Sequence, residues 1–333
     1  MKNFLIIYHS EDNDGLVSAA IIETFIRKSH KSPTIHYLPA DYNILSQMTK
    51  LDIDVLNESY DSIIMTDISF NNVKMMKYIN KVLGNKLTWI DHHLPAIKSS
   101  NSNDCINING LRRTDCSAIL LAFEYFYDQF SVNKKNGDIP EIFRILSAWD
   151  SFTYEQENYT LEYVRNVNKG FTETFNLDYE LIYIFVSRII NLWESSNNNY
   201  DEYNKAVQSN ILSCYDLGLK LNIYDDKRIK RIIDAYGDFG WSVNGRTACA
   251  LFMQDATNSL MFSSFKDKVD NGIVFKRKND GNWVMSLYNT NNDDKFHCGE
   301  YLKEHYGGGG HVGAAGCTLT QRDFIKLLNT KKV

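Results

Sequence analysis

The 333-residue sequence is poor in proline, with 4, and holds 6 cysteines. The cysteines stand at 105, 116, 214, 249, 298 and 317 and never form a Cys-x-x-Cys pair, which argues against a structural zinc site built from paired thiolates. Scattered thiols fit a reducing compartment better than a disulfide framework. No run of 18 apolar residues occurs, so nothing reads as a membrane-spanning helix. The start, Met1 to Ile7, is apolar only briefly before His9, Glu11, Asp12 and Asp14, whereas a signal peptide needs a longer apolar stretch and a small-residue cleavage site. A cytoplasmic location without a membrane partner is therefore expected. A basic excess is also missing. The net charge of −5 argues against a general duplex-DNA binder, which carries a basic face. It leaves room for a small phosphorylated ligand, because bound dications would reverse the field of an acidic pocket.

What is present suits a globular chain of about two domains. With 44% hydrophobic residues, it can bury a large core without staples. Phe4 to Tyr8 reads as a short apolar strand. Asp14-Gly15 follows as a turn, and Leu16 to Lys28 as a helix. Thr34 to Leu38, Ser62 to Met65 and Lys86 to Ile90 are further strands, with a helix over Val73 to Leu83. Ser117 to Phe130 and Pro140 to Trp149 are helix candidates, and Leu177 to Lys220 is almost wholly helical. Strands alternating with helices imply a parallel sheet covered on both faces. After about Arg228 the character changes. Ala248 to Met253, Ser259 to Phe262, Gly272 to Lys276 and Trp283 to Tyr288 become strand-like, with a helix from about Cys298 to His305. The expected class is α/β: an N-terminal Rossmann-like domain with a parallel sheet over 1–195, a connecting helix over 196–227, and a smaller α/β domain over 228–333.

The acids and imidazoles of the first domain fall just after strands. His9, Asp12 and Asp14 follow the first strand, Asp67 the third, and Asp91-His92-His93 the fourth. The carboxyl ends of parallel strands share one edge, where ligand sites form, so these residues should converge. Asp150, after the helix ending in Ala148-Trp149, can join them. Carboxylates and imidazoles without sulfur suit Mn²⁺, Fe²⁺, Co²⁺ or Zn²⁺. One ion could take His9, Asp12 and Asp67, and a second Asp14, Asp67, His92 and Asp150, with Asp67 shared. A water held between two dications about 4 Å apart is acidic enough to act as hydroxide at neutral pH. His93 and Asp91 are the candidate catalytic residues, with His93 able to donate a proton or a hydrogen bond to phosphoryl oxygens. Each piece has a plainer reading: Asp12-Asn13-Asp14-Gly15 as a turn or cap, Asp67 as an N-cap, the His pair as surface. Their conjunction at the ends of strands is what points to metal.

These residues also carry a resemblance. His9-x-x-Asp12-x-Asp14-Gly15, Asp67 and Asp91-His92-His93 resemble the first motifs of the DHH phosphoesterases, and Asp150 resembles the aspartate of the fourth. Gly307-Gly308-Gly309-Gly310-His311-Val312-Gly313-Ala314-Ala315-Gly316 resembles the GGGH-x-x-AAG signature of the DHH-associated substrate-binding domain. The resemblance covers about 1–150 and 228–320. It implies two divalent cations, Mn²⁺ foremost with Mg²⁺ or Co²⁺ as alternatives. It also implies substrate contacts through Gly308, Gly309, Gly310 and His311, since a glycine run leaves amides free to hold phosphate. Within the family the chain looks most like nano-RNase or oligoribonuclease-type members. Two residues separate His9 from Asp12 where pyrophosphatases have three, which argues against that activity. Tyr288 stands where a family strand commonly carries Arg, so it can only hydrogen-bond or stack. Arg112 and Arg113 precede Thr114-Asp115-Cys116-Ser117, a capping sequence whose helix N-terminus would favour an anion, and are candidate phosphate contacts.

The expected function is metal-dependent hydrolysis of phosphodiester bonds in short oligonucleotides. A phosphatase of 3′-phosphoadenosine 5′-phosphate or a cyclic-dinucleotide phosphodiesterase would use the same centre. A non-catalytic nucleotide-sequestering protein is the alternative of another class, and a homodimer is left open.

Overall fold

The computed structural model describes residues 2–70, 72–101, 108–130, 139–196, 200–254, 260–290 and 296–333. The chain divides into two compact units, Met1–Asn222 and Ile223–Val333. In the first, the order is β1 (Asn3–His9), α1 (Asn13–Ser29), β2 (Thr34–Ala40), α2 (Tyr42–Gln47), α3 (Lys50–Ser59), β3 (Ser62–Thr66), α4 (Val73–Leu83), β4 (Leu87–Ile90), α5 (Leu94–Asn101), α6 (Ala118–Phe130), α7 (Glu141–Asp150), α8 (Leu161–Phe175) and α9 (Tyr179–Ser195). The long helix α10 (Tyr200–Tyr236) contributes to both units. The second unit continues with β5 (Asp238–Val243), β6 (Arg246–Phe252), β7 (Asn271–Arg277), β8 (Trp283–Asn289), α11 (Cys298–Tyr306), β9 (Gly309–Gly310), β10 (Ala314–Leu319) and α12 (Gln321–Thr330).

The first sheet is four-stranded, in the order β2-β1-β3-β4, and every pairing in it is parallel. Its strands are continuous apolar runs because both faces are covered. Phe4, Ile6 and Tyr8 of β1 point into a core shared with α1, α6, α7, α8 and α9. Leu5 and Ile7 point the other way, into a core with Ile53 of α3, Met76 and Ile79 of α4, and Trp89 of β4. Each such side chain, fully buried, contributes roughly 1.5–3 kcal/mol. From β1 the chain steps outward to β2, then returns past β1 to β3. The carboxyl ends of β1 and β3 therefore flank the point where strand order reverses, the usual place for a ligand crevice.

The second unit is built on a six-stranded sheet, β5-β6-β7-β8-β10-β9. Only β6 and β7 run parallel among its pairings. Ile229 and Ile233 at the end of α10 pack with Phe262, Val274 and Tyr288 on one side. The opposite cluster holds Phe275, Leu287, Leu302, Phe324 and Leu327.

Several local expectations change. Asp14 and Gly15 lie in the first turn of α1, with Asp12 as its N-cap, so no separate turn intervenes. The strand expected at Ser259 to Phe262 is turn over 260–262, and Ser259 lies outside the described residues. Residues 197–199 and 291–292 and Cys105 also fall outside them. Helix continues to Tyr236, past the point where strand character was expected to begin. Among the described residues, no helix is long and apolar enough to cross a membrane.

Candidate metal centre

The site begins with a close approach at the end of β1. A Cβ on Gly15 would stand 2.0 Å from the carbonyl oxygen of His9, so only glycine lets the first turn of α1 press onto that strand end. Asp12 then serves twice. One carboxylate oxygen accepts from the Gly15 amide at 3.0 Å, capping the helix, and the other meets His9 Nδ1 at 2.9 Å. The segment is thus a helix cap through one oxygen, while the other oxygen faces the His9 ring.

Asp67 follows β3 with φ near +58°, a left-handed conformation uncommon outside glycine and typical of strained functional positions. Its amide donates to Ile90 O at 3.0 Å, tying the bend to the end of β4. The carboxylate is buried and faces two ways. Oδ2 lies 3.6 Å from His9 Nδ1, and Oδ1 lies 3.3 Å from His92 Nε2. His92 Nε2 also faces Asp14 Oδ2 at 3.4 Å and Asp150 Oδ2 at 3.2 Å. Asp150 is the last residue of α7, so that helix delivers it directly.

The structure thus brings His9, Asp12, Asp14, Asp67, His92 and Asp150 together. Three overlapping groups have ligand atoms mutually within 4.8 Å: His9 with Asp12 and Asp67, Asp14 with His92 and Asp150, and Asp67 with His92 and His93. Asp67 Oδ1 and His92 Nε2 are both buried without a hydrogen-bond partner, an arrangement that buried polar atoms ordinarily avoid. Ligand atoms about 2.0–2.2 Å from one ion, at roughly octahedral to tetrahedral angles, stand about 2.8–3.6 Å apart. The 3.2–3.4 Å separations around His92 Nε2 match this. The donor set fits a divalent cation.

Electrostatics agree. Burial disfavours a charged His9, yet the hydrogen bonds and charges of Asp12 and Asp67 outweigh it and push its pKa up to about 11. Burial, then the charges of Asp14 and Asp12, raises Asp67 well above the ordinary carboxylate range. In each case a proton takes the place a cation would fill.

Asp91 and His93 form a second layer. Asp91 is fully buried. Its Oδ1 accepts from the His93 amide at 2.9 Å and meets His93 Nδ1 at 2.8 Å, while Oδ2 accepts from Trp89 Nε1 at 3.1 Å. Burial would raise its pKa, but the contact with His93 holds it below the ordinary value. Asp91, expected as a catalytic residue, is thus enclosed, with both carboxylate oxygens taken by His93 and Trp89.

Other expectations shift. The anion at the N-terminus of α6 is a protein carboxylate: Asp14 accepts from Ser117 Oγ at 2.5 Å and from the amides of Ala118 and Ile119, each at 2.9 Å. Arg112 donates to Trp89 O at 2.9 Å and Ile108 O at 2.7 Å, and its guanidinium lies over the Trp89 ring. Arg113 bonds Asp115 at 2.8 Å and grips Glu124 at 2.9 and 2.6 Å. Both arginines are thus committed to the protein, with internal partners in place of phosphate. Tyr288 is buried against Phe262, their ring centroids 5.9 Å apart, which places it in a core and off the surface expected of a substrate contact. Gly307 ends α11 in a left-handed conformation. Gly309, Gly310 and His311 are exposed, and a Cβ on Gly299 would meet Gly310 O at 2.1 Å, so this hairpin packs tightly on the start of α11.

Sequence reasoning missed four neighbours. Tyr42 opens α2, its ring centroid 6.0 Å from that of His9. A pocket of about 130 Å³ opens beside Asp12, Asp14 and Asp150, and Asn168 and Thr172 of α8 and Leu177 help to line it. No pattern in region 155–227 signals these three; Tyr42 alone had a signal, its place just after a strand.

Residues 3–147 match the DHH family, N-terminal domain. No curated protein matches the sequence. RecJ from Thermus thermophilus, solved in complex with Mn²⁺, aligns over 99% of this chain and 51% of its own, at 11% identity and a TM-score of 0.51. This chain thus spans about half of RecJ. The DHH domain of a member of a ribosomal protein family aligns over 99% of this chain and 85% of its own, at 14% identity and a TM-score of 0.52. PggH, a pGpG-specific phosphodiesterase from Vibrio cholerae, aligns over 99% and 97% at 12% identity and a TM-score of 0.49. At such identities the likeness is one of fold. Over residues 3–147 the chain is therefore similar to the N-terminal domain of the DHH family.

Proposed function

We propose that this protein is a divalent-cation-dependent phosphoesterase acting on phosphodiester bonds of short oligonucleotides. The observation that carries the reading is Asp67, buried between the His9–Asp12 group and the His92–Asp14–Asp150 group with Oδ1 unpartnered. His9, Asp12 and Asp67 would hold one cation, and Asp14, Asp67, His92 and Asp150 a second. Such a pair supplies charge neutralisation of the phosphoryl group and acidification of a water. Mn²⁺ is the expected ion, supported by the donor set and by the manganese bound to RecJ on a similar fold.

The chain's own residues do the rest. His93, aimed by Asp91, donates a proton or a hydrogen bond at the leaving oxygen. The pocket beside Asp150, with Trp149 and Leu146 on its wall, shields one side of the reacting group. Of the glycine run of the second unit, Gly308, Gly309, Gly310 and His311, the Gly308 amide donates to Leu302 O at 3.0 Å and the His311 amide to Ala314 O at 2.8 Å, which leaves the exposed His311 imidazole as the candidate contact for a phosphate or base. A 5′-phosphate product follows for an oligonucleotide.

The test is incubation with Mn²⁺ and a panel of short RNA and DNA oligonucleotides, cyclic dinucleotides and 3′-phosphoadenosine 5′-phosphate. Release of mononucleotide, lost in Asp67→Ala, is expected. Release of inorganic phosphate alone would move the substrate to the phosphatase alternative. Turnover surviving in Asp67→Ala would refute the metal scheme.

A further inference from the structure

We propose that Tyr42 is a substrate-positioning residue of this centre, its phenolic O–H donating to a non-bridging oxygen of the bound phosphoryl group. The inference rests on the phosphoesterase reading and adds a residue that no motif of the sequence marks. Tyr42 stands immediately past β2, whose last residue, Ala40, is in register with His9 at the end of β1. It therefore sits on the same sheet edge as the acids and imidazoles. Its backbone is fixed there, because Asp41 caps α2 by accepting from the Ile44 amide at 2.7 Å. The ring lies against His9, inclined at 47°, and its edge packs on the core beneath β1 and β3.

The hydroxyl is the informative part. Tyr42 is partly buried, and its O–H makes no hydrogen bond to any described residue. The hydroxyl is not one of the buried polar atoms that lack a partner, so it is open to solvent and to an arriving ligand. The charges around it are Asp91, Asp67 and Asp12, on three different segments. A tyrosine phenol keeps its proton at neutral pH, so it is an O–H donor. An acceptor-only group arriving at the carboxylate cluster is what such a donor lacks. A phosphoryl oxygen is that acceptor, and Arg112 and Arg113, the guanidinium groups expected to meet it, are committed to carbonyls and to Glu124.

The experiment uses the full chain loaded with Mn²⁺ and Tyr42→Phe, which keeps the ring against His9 and removes only the hydroxyl. Calorimetry reads the affinity for Mn²⁺ and, in the loaded protein, for AMP. Hydrolysis of bis(p-nitrophenyl) phosphate gives KM and kcat. The expected result is unchanged Mn²⁺ affinity and melting temperature, with AMP affinity roughly tenfold or more weaker, as for loss of a hydrogen bond to a charged group, and a raised KM. AMP affinity and KM equal to the parent's would overturn the proposal while leaving the phosphoesterase reading intact. Weakened Mn²⁺ binding or a lowered melting temperature would make Tyr42 a structural support, and would also overturn it. A parent protein that takes up no Mn²⁺ or hydrolyses nothing removes the underlying reading and the proposal together.

Discussion

Asp67→Asn should make the metal-free protein more stable and the metal-loaded protein less so. Asp67 is 1% exposed, and its Oδ1 has no partner. The amide leaves an unpaired neutral group in place but removes a buried charge, whose extra penalty is taken as roughly 1–3 kcal/mol. In the first unit, Met1–Asn222, each kcal/mol moves melting by roughly 2–4 °C, so the variant should melt roughly 2–12 °C higher in EDTA. The pH dependence has a definite sign. The folded pKa of Asp67 is raised by burial and by Asp14 and Asp12, so the penalty is absent below the ordinary carboxylate pKa. It grows as pH rises toward the folded value and is complete above it. The advantage of the variant should therefore be larger at pH 8 than at pH 5. Mn²⁺ should reverse the order, since a ligand at 100 times its dissociation constant adds about 2.7 kcal/mol to the state that binds it. Differential scanning calorimetry in EDTA and in Mn²⁺ reads all of this. An equal Mn²⁺-induced shift in both proteins, or a variant that melts lower than the parent in EDTA, would refute the reasoning.

Asp91→Asn should leave Mn²⁺ uptake intact while lowering kcat by about 10²–10⁴-fold, the usual worth of a positioned acid–base group; an unchanged kcat would remove His93 from the chemistry. Ser117→Ala deletes the hydroxyl that holds Asp14 at 2.5 Å and should weaken Mn²⁺ binding about 10–100-fold, as loss of outer-shell partners does; titration calorimetry checks this. Gly15→Ala forces a Cβ against His9 O and should destabilise by about 1–3 kcal/mol or more, seen as a lower urea midpoint.

The parallel sheet and its acidic edge were legible because both depend on local pattern. Apolar strand runs ending at His9, Asp67 and Asp91 fix which residues share an edge once the strands are parallel. What the sequence left dark is tertiary partnership. Asp14 and Ser117 are separated by 103 positions, and nothing local to either indicates that the carboxylate supplies the anion at the helix start. Arg112 and Arg113 looked available because their carbonyl and Glu124 partners depend on how β4 and α6 pack. Tyr288 sits on a strand of alternating pattern, yet Phe262 covers it, from a segment that reads as strand and folds as turn. The α8 residues beside Asp150 belong to a helix whose sequence signals only amphipathicity.

Anomalous diffraction at the manganese edge, from crystals grown with Mn²⁺, tests the metal centre most directly. Two peaks per chain are predicted, one among His9, Asp12 and Asp67 and one among Asp14, Asp67, His92 and Asp150, with Asp67 touching both. No peak at these side chains, or a single ion that leaves Asp67 uncoordinated, would contradict it.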